Sequence, residues 1–236
     1  MPQLWESPPQ WNLTFARTEG QSSARSAKAE LKDDEDEITL RQFLLIFREP
    51  RLLPVYGVIV INMFMVGILF GFLPVYLYSI GYTPLESGSV VSVATLSYLL
   101  VQPLAGHLAD KIDIAKTVFG GLLLAALAII AVTFTARIPL IVVVIIAGIG
   151  IGTVWTNSDA LVSTLVNRGQ LGASIGAAQS FKEFGDMVGP LLVGAITQWF
   201  GVRVGFVSCG AVALACLVLA NFAAASPRGK IEVADL

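Results

Sequence analysis

Charge is scarce in this chain, and histidine and cysteine are scarcer. Of the 236 residues 14% are charged, where soluble domains average about 25%. So little charge excludes a disordered chain, which needs low hydrophobicity and high net charge, and it argues against a water-soluble domain. A single histidine, His107, excludes a His-rich metal site. The two cysteines, Cys209 and Cys216, fall seven apart on one predicted helix. At about 1.5 Å of rise per residue they stand roughly 10 Å apart and cannot bridge each other. A net charge of −2 and a pI near 5.4 lack the basic excess of a nucleic-acid partner. Residues 1–37 are polar, so we expect no cleavable signal peptide there.

What is present is apolar. Hydrophobic residues make up 55% of the chain, and mean hydropathy is +0.75. Half of the charged residues lie within the first 51 positions, which leaves 52–225 very poor in charge. A helix needs about 20 mostly apolar residues to cross some 30 Å of hydrocarbon. Six runs qualify: 52–85, ending near Tyr78 at a turn-like Gly81-Tyr82-Thr83-Pro84; 87–109; 117–136; 138–165; 172–199; and 204–225. The fifth is the least clean, because it holds Lys182, Glu183 and Asp186. The expected fold is an all-α membrane protein with six transmembrane helices.

Lysine and arginine collect on the cytoplasmic side of membrane proteins. Arg41, Arg48, Arg51, Lys111, Lys116, Arg168, Arg228 and Lys230 fall on one side of the predicted topology; Arg137 and Arg203 fall on the other. Both termini are therefore expected in the cytoplasm of a multi-pass protein of the cell (plasma or inner) membrane. Residues 1–38 read as a flexible cytoplasmic linker, with Pro8-Pro9 and an acidic run over 33–37. Thr39-Leu40-Arg41-Gln42 fits a capping box, and Leu40, Phe43, Leu44 and Phe47 then share a helical face. We expect an amphipathic helix at the interface over 39–51, the six-helix domain over 52–225 and a cytoplasmic tail over 226–236.

Charged groups in mid-membrane cost about 2.5–3.5 kcal/mol each on insertion scales, and they persist where they face a bundle interior or a wet cavity. Helices three and six are almost wholly aliphatic and are expected to face lipid. Helices one, two, four and five carry Asn62; Gln102; Trp155 and Asp159; and Gln179, Lys182, Glu183 and Asp186. These are the candidate residues of a substrate and proton pathway, with Asn62 and Gln102 fitting equally a role as hydrogen-bonding glue between helices. A greasy third helix in each set of three suggests a three-plus-three repeat around a polar interior. On helix five, Gln179, Lys182, Glu183, Asp186, Gly189, Pro190 and Thr197 fall in a sector of about 120°. Lys182 is placed to pair with Asp186 at i,i+4, with Glu183 within reach of Asp186. Two acids beside one lysine leave a carboxylate under-neutralised, so we expect Glu183 or Asp186 to exchange a proton. A coupling proton is the one cofactor-like species expected, and no metal is.

Two stretches resemble the major facilitator superfamily. Gly106-His107-Leu108-Ala109-Asp110-Lys111, followed by Lys116, resembles the family's loop signature Gly-x-Leu-Ala-Asp-Arg-x-Gly-Arg-Lys. Lys111 replaces its arginine, and Asp113 and Ile114 replace its Gly-Arg. Gly106, Asp110 and Lys111 are thereby implied in a conformational latch. Gly185-Asp186-Met187-Val188-Gly189-Pro190-Leu191-Leu192-Val193-Gly194 resembles the family's Gly-x-x-x-Gly-Pro-x-x-Gly-Gly element, with Val193 at the first of the paired glycines. Gly185, Gly189, Pro190 and Gly194 are expected to set helix packing. The likeness covers about 40–225 and corresponds to the family's carboxy-terminal half, helices seven to twelve, preceded by its central linker. It implies alternating-access transport of a small solute within a lipid bilayer, and a second six-helix half, from this or another chain, to close the cavity. Proton-coupled efflux of drugs or metabolites is the implied subclass. Two other readings stand beside it: a non-transporting remnant or membrane interaction protein, and an intramembrane aspartyl protease built on Asp159 and Asp186, where Glu183 occupies the place of a required glycine.

Overall fold

The computed structural model describes residues 52–225. The linker over 1–38, the interfacial helix over 39–51 and the tail over 226–236 lie outside the described residues. The described residues belong to one compact unit and form six long helices: α1 (Leu53–Ser79), α2 (Pro84–Lys111), α3 (Ile114–Val132), α4 (Ile138–Thr164), α5 (Leu171–Phe200) and α6 (Val202–Ala225). All but α5 are long and apolar enough to span a membrane by length and composition. The exception has 30 residues, about 45 Å of helix, but carries Lys182, Glu183 and Asp186 in its middle.

Local chemistry explains where the helices begin and bend. Thr83 caps α2 through a reciprocal capping box: its hydroxyl accepts from the Glu86 N–H, and the Glu86 carboxylate accepts from the Thr83 N–H at 2.8 Å. Asp113 caps α3 by accepting from the Lys116 N–H at 2.9 Å. Proline stands in the first turn of α1, α2 and α4, where a missing N–H costs nothing. Within α1 a single π-helical turn spans Ile68–Phe72, just before Pro74. That proline donates no bond to the preceding turn, and the wider turn absorbs the mismatch.

Packing interleaves the two halves of the repeat. α1 packs chiefly on α5 and α6, α4 packs chiefly on α2 and α3, and α1 touches α4 at the centre. Each triplet's first helix is thus seated in the other triplet. α3 and α6 lie against each other behind the α1–α4 pair, whereas α2 and α5 share no packed face. Lipid tails are as apolar as the side chains, so close van der Waals fit drives such contacts. At Gly150 on α4 a Cβ would come 2.5 Å from the backbone nitrogen of Ala125 on α3. On the other side of the bundle, Gly185 and Gly189 of α5 lie against Val60, Met63 and Phe64 of α1, where a Cβ would approach to 2.8 Å. Gly194 has only ordinary contact, with Phe72. α2 is the least covered helix: 17% of its most apolar stretch is buried, against 50% for α1 and for α4. The exposed side chains along the middle of α3 and of α6 are apolar, including Leu123, Leu124, Leu127, Val212 and Leu219, and the exposed polar ones, Lys116, Arg203 and Asn221, lie near helix ends.

Candidate substrate and coupling site between α4 and α5

Asp159 stands one turn beyond Trp155 on α4, so both side chains leave the same face. Gln179 and Lys182 on α5 are likewise i,i+3. Where the two faces meet, the Lys182 ammonium donates to both carboxylate oxygens of Asp159, at 2.9 and 2.8 Å. Gln179 Nε2 donates to the same carboxylate at 3.3 Å. The ammonium also lies 5.2 Å from the centre of the Trp155 ring, within range of a cation–π attraction. Trp155 meets the edge of Tyr98 on α2 at 6.2 Å, and Tyr98 meets Phe70 on α1 at 6.0 Å. One chain of contacts therefore joins α1, α2, α4 and α5, the four helices that carry the costly polar groups.

The pair is asymmetric. The Lys182 side chain is 6% exposed and that of Asp159 is 36%. A lone buried ammonium is severely penalised, and charge-assisted bonds to a carboxylate offset that penalty. Asp159 is therefore the open member of the pair.

Several sequence expectations are corrected here. Lys182 does not pair with Asp186. Local i,i+4 geometry allows that bond, but the carboxylate of Asp159 on the facing helix sits at 2.8 Å and takes both of its oxygens to the ammonium. Glu183 and Asp186 are not buried beside it; they lie on the exposed surface of the six-helix unit and form no ion pair among the described residues. Asn62 lines no crevice: it is 1% exposed, and neither amide atom has a partner. Gln102 is half-buried and away from the cluster's hydrogen bonds. At the end of α2, Asp110 and Lys111 are exposed and make no ion pair among the described residues, and nothing crowds Gly106. Asp113, which breaks the loop signature, holds the N-terminus of α3 instead. Tyr98 and Phe70 escaped the sequence reading because isolated aromatics in apolar helices carry no periodic signal. The protease reading fails, because Asp159 is held by an ammonium and Asp186 is exposed elsewhere.

Known proteins with the same architecture place the chain in a family. The description "Major Facilitator Superfamily" matches residues 55–234. The uncharacterized MFS-type transporter C18.02 of Schizosaccharomyces pombe is 28% identical over 174 residues, 71% of this chain and 39% of that protein. The multidrug resistance protein MdtG of Serratia proteamaculans is 29% identical over 157 residues, 63% of this chain and 37% of its own. Among solved structures, a mutant of the peptide transporter POT with alafosfalin superimposes with a TM-score of 0.67 at 18% identity, covering 73% of this chain and 38% of that one. The inward-open xylose transporter XylE of E. coli gives 0.56 at 19% identity, over 78% and 49%. The chain spans about two-fifths of the length of these curated relatives. With its six interleaved helices and its matched residues 55–234, this multi-pass integral membrane protein belongs to the Major Facilitator Superfamily.

Proposed function

We propose that the chain supplies one six-helix half of a secondary transporter that moves a small drug-like or metabolite solute by alternating access, in exchange for protons. The observation that carries the reading is the half-open Asp159–Lys182 pair on Trp155, which touches the other three polar helices directly or through Tyr98. Such a site can hold the charged part of a solute, or a proton, and report its presence to the helix contact. Glu183 and Asp186, exposed on α5 together with Gln179, sit where water or a second half must cover them, because acids facing hydrocarbon are costly. The thinly covered α2 and the exposed face of α5 are the surfaces on which a second six-helix half, from this or another chain, would close. The relatives named multidrug resistance proteins support efflux of the same class of solute. By the distribution of lysine and arginine, both termini lie in the cytoplasm of the cell membrane, and residues 1–38 lead into the bundle as a linker.

The test is transport of a lipophilic fluorescent dye into proteoliposomes under an imposed pH gradient. Asp159→Asn is expected to abolish gradient-driven movement, and Glu183→Gln and Asp186→Asn to shift its pH dependence. Dye movement that ignores the gradient in the unaltered protein overturns proton exchange. No movement at all favours a non-transporting membrane protein.

A further inference from the structure

The end of the bundle opposite Leu52 and Ala225 holds a crevice of about 810 Å3, distinct from the Asp159–Lys182 cluster. Arg137, at the start of α4, and Arg203, at the start of α6, both line it, with Glu86 of α2 on the same wall. Neither arginine has an ion pair among the described residues. Glu86, whose carboxylate accepts from the N–H and the hydroxyl of Thr83 at 2.8 Å, keeps its negative charge within electrostatic reach of Arg137, so two guanidiniums share one carboxylate. The corner therefore carries excess positive charge.

Arg137 stands in an unusual place. Its φ is 55°, the one value in the left-handed range at a non-glycine position among the described residues. Tyr82 fixes it there by accepting a hydrogen bond from its N–H at 2.6 Å. Glycine would adopt this backbone freely, yet the position carries a long cation that lines the crevice.

A second slot of about 310 Å3 opens beside Arg203, between the end of α3 and the first turns of α6. Its walls include Phe134, Val204 and Val207, so it follows α6 from the guanidinium toward the hydrocarbon. Trp199 and Phe200 are exposed at the same end of the bundle, as expected of aromatic residues at headgroup depth. A cation at that depth with an apolar slot running inward fits a phosphodiester that carries an acyl chain, and fits a soluble anion poorly. We propose that this corner binds an anionic glycerophospholipid, its phosphate held by Arg203 and Arg137 and one acyl chain laid against Phe134, Val204 and Val207.

The test is native mass spectrometry of the 236-residue chain in a neutral detergent, titrated with phosphatidylglycerol, with phosphatidylcholine of the same acyl chains, and with glycerol 3-phosphate. Phosphatidylglycerol should be retained roughly ten-fold more tightly than phosphatidylcholine, and Arg203→Gln and Arg137→Gly should each remove about five-fold of that preference. Glycine suits the backbone at 137, so Arg137→Gly should not lower the melting temperature of the lipid-free protein; this variant keeps the test sharp if Arg203→Gln folds poorly. Equal retention of the two lipids, or an unchanged preference in Arg137→Gly, overturns the proposal. Glycerol 3-phosphate bound as tightly as the lipid overturns it too, in favour of a soluble anion.

Discussion

Gly67 on α1 faces the ring of Pro190 on α5: a Cβ at Gly67 would stand 3.0 Å from Pro190 Cγ. The contact lies beside the π-helical turn of α1. Two helices with weakened backbone ladders therefore touch at one level.

This contact predicts coupling. Gly67→Leu should cost about 1–3 kcal/mol by overpacking, and Pro190→Ala should cost less. The double variant should be more stable than the sum of the two implies, because the smaller residue makes room. Unfolding in mixed micelles reads the difference. Strict additivity would show that the two sites move independently.

Asp159 and Lys182 predict a second non-additive pair. Lys182→Met leaves a carboxylate without its ammonium, and Asp159→Asn leaves a buried ammonium without its charge. Asp159→Asn should cost roughly 3–5 kcal/mol, Lys182→Met less because the carboxylate it strands is 36% exposed, and the double change less than Asp159→Asn alone. Asp186→Asn, on the exposed side, should stay within about 0.5 kcal/mol. Thermal unfolding followed by tryptophan fluorescence gives the ranking. A larger loss at Asp186 than at Asp159 would restore the local pairing on α5.

Asn62 offers a stabilising change. Both of its amide atoms are buried without partners, so replacement by Leu, which keeps the branched heavy-atom skeleton, removes a desolvation penalty of about 1–3 kcal/mol. Asn62→Leu should raise the unfolding midpoint in detergent. A fall of more than a few degrees would mean that the amide holds a water or a partner essential to the folded state.

Thr83 tests the entry into α2. Thr83→Ala breaks the reciprocal cap and should cost about 0.5–2 kcal/mol. Hydrogen exchange should then rise across the first turn of α2 and leave α3 unchanged.

Helix number and extent were legible because apolar run length is dictated by bilayer thickness. The expected 138–165 compares with an observed Ile138–Thr164, and the expected 172–199 with Leu171–Phe200. The start of α3 came earlier than the apolar run suggested, at Ile114, because Asp113 caps the helix ahead of Thr117. The partner of Lys182 was not legible. Spacing along one helix ranks only neighbours on that helix, and Asp159 becomes a neighbour only when α4 docks on α5. The same limit hid the burial of Asn62: a polar residue in an apolar run looks alike from the sequence whether it meets a crevice or another helix. The close-packing role of Gly185 and Gly189 was readable from their four-residue spacing, although the partner helix was not.

Because α1 is seated in the second triplet and α4 in the first, neither set of three helices has a complete interior of its own. During synthesis α1 enters the bilayer long before α5 and α6 exist, and its contact surface must wait among lipids or insertion machinery. A nascent chain halted after Val132 would present α1 and α3 without their chief neighbours, a form that quality-control proteases should recognise. Completion of this bundle therefore waits for α5 and α6, however early its individual segments cross.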